Sequence, residues 1–136
     1  MIIDASDLIV GRMATVVAKK ALLGEKIDIV NCEKALMTGK KKEIFNRLKE
    51  KNEMGNPLKG PFMQKMPDRF IRRIIRGMLP YKQEKGLSAF KRVMCYIGVP
   101  NEFKDKKFET IKSAHISNSK TISYVTIGEI CSFLKK

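Results

Sequence analysis

The 136-residue sequence has a single histidine, His115, and only three cysteines, Cys32, Cys95 and Cys131, which lie far apart. One histidine leaves no basis for a His-based metal cluster. An odd number of widely spaced cysteines suits neither a disulfide framework nor a zinc site, so each reads as a small buried apolar group. A Cys–His nucleophilic pair would need one of these buried thiols to meet His115 in space, and a surface role suits that histidine better. Gly11 and Gly24 do not make G-x-G-x-x-G, and no G-x-x-x-x-G-K-[ST] loop occurs, which removes the usual phosphate cradles. Asp4 and Asp7 could form a paired-carboxylate site, although helix capping accounts for Asp7 better. No stretch approaches the ~18 uninterrupted apolar residues of a membrane span. The first residues lack a charged segment followed by an apolar run and cleavage site, so a cytoplasmic protein is expected. There is no internal repeat and no low-complexity tract. These absences argue against an enzyme, a cofactor and a small-molecule substrate.

What the sequence has in excess is positive charge. Against 14 Asp and Glu stand 28 Lys and Arg, a net charge of +14, on a chain whose 43% hydrophobic content marks it as folded. The excess is localised: residues 34–92 carry seventeen basic and five acidic side chains, whereas residues 1–33 carry four and five. Such a block predicts a polyanionic partner. The length predicts one domain over residues 1–136.

Apolar Met1 to Asp4 predicts a strand, and Val10, Met13, Ala14, Val17, Ala18 and Ala21 recur at helical spacing until Gly24. Lys26 to Val30 reads as a second, buried strand, so the first thirty residues suggest a right-handed parallel unit. A helix over about Lys40 to Lys51 is predicted after Thr38 and Gly39. Residues 54–67 then lose all periodicity; two Gly and three Pro predict an extended connection, and one that long is usually functional. Asp68 is a plausible cap for a helix over Arg69 to Met78, ended by a turn at Gly77 and by Pro80. Ser88 to Arg92 looks helical, Val93 to Ile97 reads as a buried strand, and Thr126 with Glu129 has capping-box spacing before the stripe Ile127, Ile130, Cys131 and Leu134. The pattern as a whole is α/β, with a mostly parallel sheet covered on both faces.

The stretch Arg69 to Pro80 carries the functional signal. At ~100° per residue, Phe70, Ile71, Ile74, Ile75 and Met78 fall on one side and Arg69, Arg72, Arg73 and Arg76 on the other. Any surface helix has a charged side, but here no acidic residue interrupts it. The planar fork of Arg bonds phosphate oxygens bidentately and stacks on exposed bases. Lys40, Lys41 and Lys42 alone would be a solvated helix end; beside this helix they extend a basic surface that continues through Lys82, Lys85 and Arg92. Tyr81 is either a base-stacking residue or a half-buried tyrosine with a wet hydroxyl.

The opening IIDASDLIVGRMATVVAKKALLGEKIDIVNCEKALMTG, the central PFMQKMPDRFIRRIIRGMLPYKQEKG and the later YIGVP resemble, in this order, the blocks of the universal ribosomal large-subunit protein thirteen family. RGMLP with the basic helix before it is the most specific of them. The first strand beginning at once and the NPLKGPF block resemble the archaeal and eukaryotic branch. Family members often have His where this chain has Tyr81 and Arg where it has Lys85; the C-terminal third is the least similar part. The resemblance implies a three-layer α/β/α domain around a mainly parallel four-stranded sheet with a basic extended connection. It also implies binding to large-subunit ribosomal RNA and to neighbouring ribosomal proteins.

The expected function is therefore structural, with Lys40, Lys41, Lys42, Lys59, Lys65, Arg69, Arg72, Arg73, Arg76, Lys82, Lys85 and Arg92 neutralising RNA phosphates. Replacing Arg72, Arg73 and Arg76 together with Gln is expected to weaken RNA binding and leave the fold intact. The alternatives are a free regulator that binds messenger RNA outside the ribosome and a nucleotide-using α/β enzyme, against which the missing phosphate loop counts.

Overall fold

The structure is a computed structural model describing residues 1–136. Strand β1 (Ile2–Asp4), helix α1 (Val10–Leu22) and strand β2 (Ile27–Val30) make the parallel unit predicted for the first thirty residues. The six apolar residues of α1 at helical spacing are all buried, and Gly24, at φ +101°, turns the chain in a conformation that costs glycine little. Strand β4 (Val93–Cys95) adds in parallel to the other side of β2, giving the order β1-β2-β4. Every residue of central β2 is buried, as a strand covered on both faces requires.

The parallel sheet has three strands, not four. Beside β1 the chain makes one parallel bridge, where Asp4 N–H donates to the Glu109 carbonyl at 3.1 Å and Glu109 N–H to that of Ile2 at 2.8 Å. Residues 104–110 are exposed throughout and begin with Lys-Asp-Lys-Lys, so no apolar alternation anchors a longer strand there. A separate antiparallel pair joins β3 (Leu36–Thr38) to β5 (Tyr124–Thr126).

Helix α2 spans Lys41–Glu53, α3 Pro67–Gly77, α4 Glu84–Lys91 and α5 Ile127–Lys135. Helix α1 packs against α3 and α4, both of which also pack on β4, while α5 touches α2 and α3. The result is a mixed α/β fold with five helices and a small, mainly parallel sheet. One cluster of buried apolar residues runs from Ile3 to Leu134 and draws on all five helices.

Three local expectations fail for identifiable reasons. Asp7 does not cap α1: the residue before the helix is Ile9, and Asp7 sits at φ 57°, turning the chain while its carbonyl accepts from Ile116 N–H at 3.0 Å. Asp68 does not cap α3, because Pro67 already occupies the first helical position, where a missing N–H costs nothing; Asp68 instead favours the helix dipole from the first turn. Gly77 is the last residue of α3 without a left-handed φ, and a Cβ there would meet nothing within 4 Å, so that turn does not need glycine.

The C-terminal helix follows its pattern. Ile127, Ile130, Cys131 and Leu134 are all buried, and Thr126 Oγ1 accepts from Glu129 N–H at 3.2 Å. Thr126→Ala is expected to cost about 1 kcal/mol, read as a lowered melting midpoint with unchanged native circular dichroism.

Candidate nucleic-acid interface

Helix α3 buries Phe70, Ile71 and Ile75 and leaves Ile74 half-buried, so its opposite side is raised from the core on a rigid base. Met78, placed on the apolar side by its spacing, lies just beyond the helix end and is 42% exposed rather than buried. Arg69, Arg72, Arg73 and Arg76 line one open groove of about 410 Å³ together with Gln64 and Phe90.

The four arginines are not equivalent. Arg69 and Arg73 are exposed, whereas Arg72 and Arg76 are half-buried. Arg72 Nε donates to the Val93 carbonyl at 3.1 Å, and its guanidinium lies 4.3 Å from the centroid of the Phe90 ring. The Arg76 guanidinium lies 4.7 Å from the centroid of Tyr81, and its buried Nε has no hydrogen-bond partner in the chain. Stacking of this kind holds the plane of a guanidinium while leaving its outer N–H groups to a ligand. None of the four pairs with a carboxylate; the ion pairs are Lys40–Glu43 at 3.6 Å, Lys41–Glu129 at 3.6 Å and Lys49–Glu53 at 3.9 Å, all well exposed. Because Arg72 ties α3 to β4, its removal touches the fold as well as the surface.

The other candidate residues do not line this groove. Lys40, Lys41 and Lys42 stand at the start of α2, where Lys41 lines a second groove with Glu33, Phe45, Glu129 and Phe133. Phe45 and Phe133 stack there with centroids 4.4 Å apart. Lys59 is on a turn in which Asn56 Oδ1 accepts from Leu58 N–H at 2.9 Å and the Asn56 carbonyl from Lys59 N–H at 3.2 Å. Lys65 lies further along the same connection. Lys82 and Lys85 are exposed around the start of α4. Arg92 Nη1 donates to the Ala21 carbonyl at 3.2 Å, closing the end of α1, so this side chain carries a structural duty too. Gln64 and Phe90 were not legible as groove residues: one lies in a stretch without period, and the other is an uncharged residue of a short helix that only the fold brings against Arg72.

The residues considered for chemistry have other occupations. Burial alone would raise the Asp4 carboxyl. Hydrogen bonds from Asn31 and from the amide and hydroxyl of Ser6, with the charge of Lys34, bring it below the usual carboxylate range instead. The carboxylate thus joins β1 to Asn31, itself in a left-handed turn. All three cysteines are buried. The Cys32 side chain beside it, then burial, raises the Cys95 thiol, and burial pushes Cys131 up to about 11. Both remain protonated at neutral pH, opposite to an activated nucleophile. His115 Nδ1 accepts from Ser117 N–H at 3.2 Å and caps a single helical turn. No helix is long and apolar enough to cross a membrane.

Residues 1–102 match the family described as Ribosomal protein L13. The chain is 43% identical over 134 residues to the large ribosomal subunit protein uL13 of Archaeoglobus fulgidus, covering 98% of this chain and 86% of that protein. It is 44% identical to uL13 of Methanopyrus kandleri, over 95% of this chain and 82% of that one. With uL13 of Methanococcus maripaludis it shares 44% identity, over 98% and 96% respectively. These relatives are archaeal, in keeping with the branch suggested by the NPLKGPF block.

Proposed function

Since the chain belongs to the ribosomal protein L13 family, which is structural rather than enzymatic, we propose that it binds large-subunit ribosomal RNA and stabilises it during assembly and in the mature ribosome. The single observation that carries this is the groove of four arginines on α3 with no carboxylate paired to any of them. A cluster of like charges is costly unless a polyanion completes it, and RNA phosphates supply matching charge and geometry.

In this function the apolar side of α3 is the mount, and Arg69, Arg72, Arg73 and Arg76 make the central phosphate contacts. Lys40, Lys41, Lys42, Lys59, Lys65, Lys82, Lys85 and Arg92 neutralise further backbone. Contacts of this kind recognise shape and backbone rather than base sequence, so no one residue is indispensable. Neighbouring large-subunit proteins are the other partners, and the place of work is the cytoplasmic ribosome.

The test is binding of the purified protein to large-subunit ribosomal RNA and to an unrelated structured RNA across a salt series. Preference for the ribosomal RNA that survives raised salt is expected. Equal affinity for both, vanishing steeply with salt, would reduce the groove to a generic basic surface and remove this function.

A further inference from the structure

Four guanidinium groups on α3, at Arg69, Arg72, Arg73 and Arg76, include pairs three and four residues apart whose Cβ atoms are only ~5–6 Å from one another. They share one groove of about 410 Å³, and no carboxylate pairs with any of them. A single phosphate leaves most of that charge uncompensated. A ligand that brings more than one phosphate into the same small volume compensates it better.

The shape of the site narrows the ligand further. Arg72 is set by Val93 and Phe90 and Arg76 by Tyr81, so two of the four planes are positioned before any ligand arrives. Fixed forks lose little side-chain freedom on binding but accept phosphates only at the spacing and angle they already define. Arg69 and Arg73 are exposed and can follow the ligand. A regular duplex presents its phosphates as rows along a convex surface, with the two strands held apart across a groove. Four cations crowded along one small open groove with no carboxylate among their partners suit instead a place where two stretches of backbone approach each other.

We propose that the groove between Gln64 and Phe90 takes two RNA backbone segments whose phosphates converge, as at a helix junction or sharp bend, with Tyr81 and Phe90 as positioning residues for Arg76 and Arg72. This rests on the RNA-binding function proposed above. Tyr81 is the informative position, because it is exposed, carries no charge, and acts through the guanidinium stacked on it.

The test compares the full chain, its Tyr81→Leu, Tyr81→Phe and Arg76→Lys variants on a three-way-junction RNA and on an uninterrupted duplex of equal nucleotide number, at two salt concentrations. The unaltered protein is expected to prefer the junction by roughly tenfold, the order of one charge-assisted hydrogen bond. Tyr81→Phe should keep this preference, while Tyr81→Leu and Arg76→Lys should lose it with little change in salt slope, since each retains the full charge. Equal affinity of the unaltered protein for the two RNAs, or a preference that survives in both Tyr81→Leu and Arg76→Lys, would overturn the assignment. In either case salt-dependent, ribosomal-RNA-selective binding would leave the proposed function standing; loss of that selectivity would remove both.

Discussion

Replacing Arg69, Arg73 and Arg76 together with glutamine is expected to weaken binding to large-subunit ribosomal RNA on the order of a hundredfold near ~0.1 M salt. The slope of log affinity against log salt should fall by roughly two to three, about one phosphate contact for each charge removed. Arg72 stays in place in this variant because its Nε is bonded to the Val93 carbonyl and its plane rests on Phe90. The three replaced side chains make no hydrogen bond to the rest of the chain, and no carboxylate pairs with them. Only the stacking of Arg76 on the exposed Tyr81 ring is lost, so the variant should unfold within a few degrees of the parent, a loss of about 0.5–1 kcal/mol at most. Arg72→Gln alone should behave differently, losing about 1–2 kcal/mol of stability as well as some affinity, since it removes a charged donor from a half-buried carbonyl and a stacking partner from Phe90. The measurement is a binding titration at several salt concentrations alongside a thermal melt. Unchanged binding by the triple variant would take the α3 groove out of the interface.

Gly86→Ala is expected to destabilise the protein by about 2–4 kcal/mol, a fall in melting midpoint of roughly 10 °C. Helix propensity argues the reverse: Gly86 lies inside α4, where alanine is favoured by about 1 kcal/mol. The contact decides otherwise, because a Cβ at Gly86 would run into the carbonyl group of Pro80 and come within 2.9 Å of the Tyr81 nitrogen. Those are backbone atoms, and they cannot retreat without moving the turn that carries buried Leu79 and the Tyr81 ring beneath Arg76. Gly77→Ala is the matching control. With open space around its position and no left-handed φ, it should be neutral or stabilising by up to ~1 kcal/mol. Equal melting temperatures for the two variants would show that the close approach of α4 to the Pro80 turn does not exist in solution. The Gly86 variant should also bind RNA less well, because the same turn positions Arg76.

The legible parts of the fold were those in which one element's residues report on that element alone. The stripe of α1, the continuous apolar run of β2 and the Thr126 cap followed by four buried positions of α5 all appeared where spacing put them. Asp7 and Asp68 were misread because a side chain able to cap a helix was taken for one that does; a left-handed residue in one case and a proline at the first helical position in the other had already settled where each helix begins. The fourth strand was implied by the family resemblance alone, and beside β1 the structure has a single bridge in its place. Glu109 makes its bridge through backbone groups, and the exposed residues on either side carry no pattern that distinguishes a bridge from a strand.

By itself the sequence determined the class of the fold, the two-sided character of α3 and the sign of its charge, because periodicity and net charge are properties of neighbouring residues and of sums. Only the tertiary structure decided which of the positive charges are free to act. Arg72 is bonded to a carbonyl 21 positions away and Arg92 to one 71 positions away, and no local pattern contains either partner. The groove exists because α3 and α4 both pack on β4, which brings Phe90 beneath Arg72, while the turn between the two helices brings Tyr81 beneath Arg76. Composition can count guanidinium groups, but the direction in which each one points is set by what it packs against, and those contacts form only when distant segments are brought together.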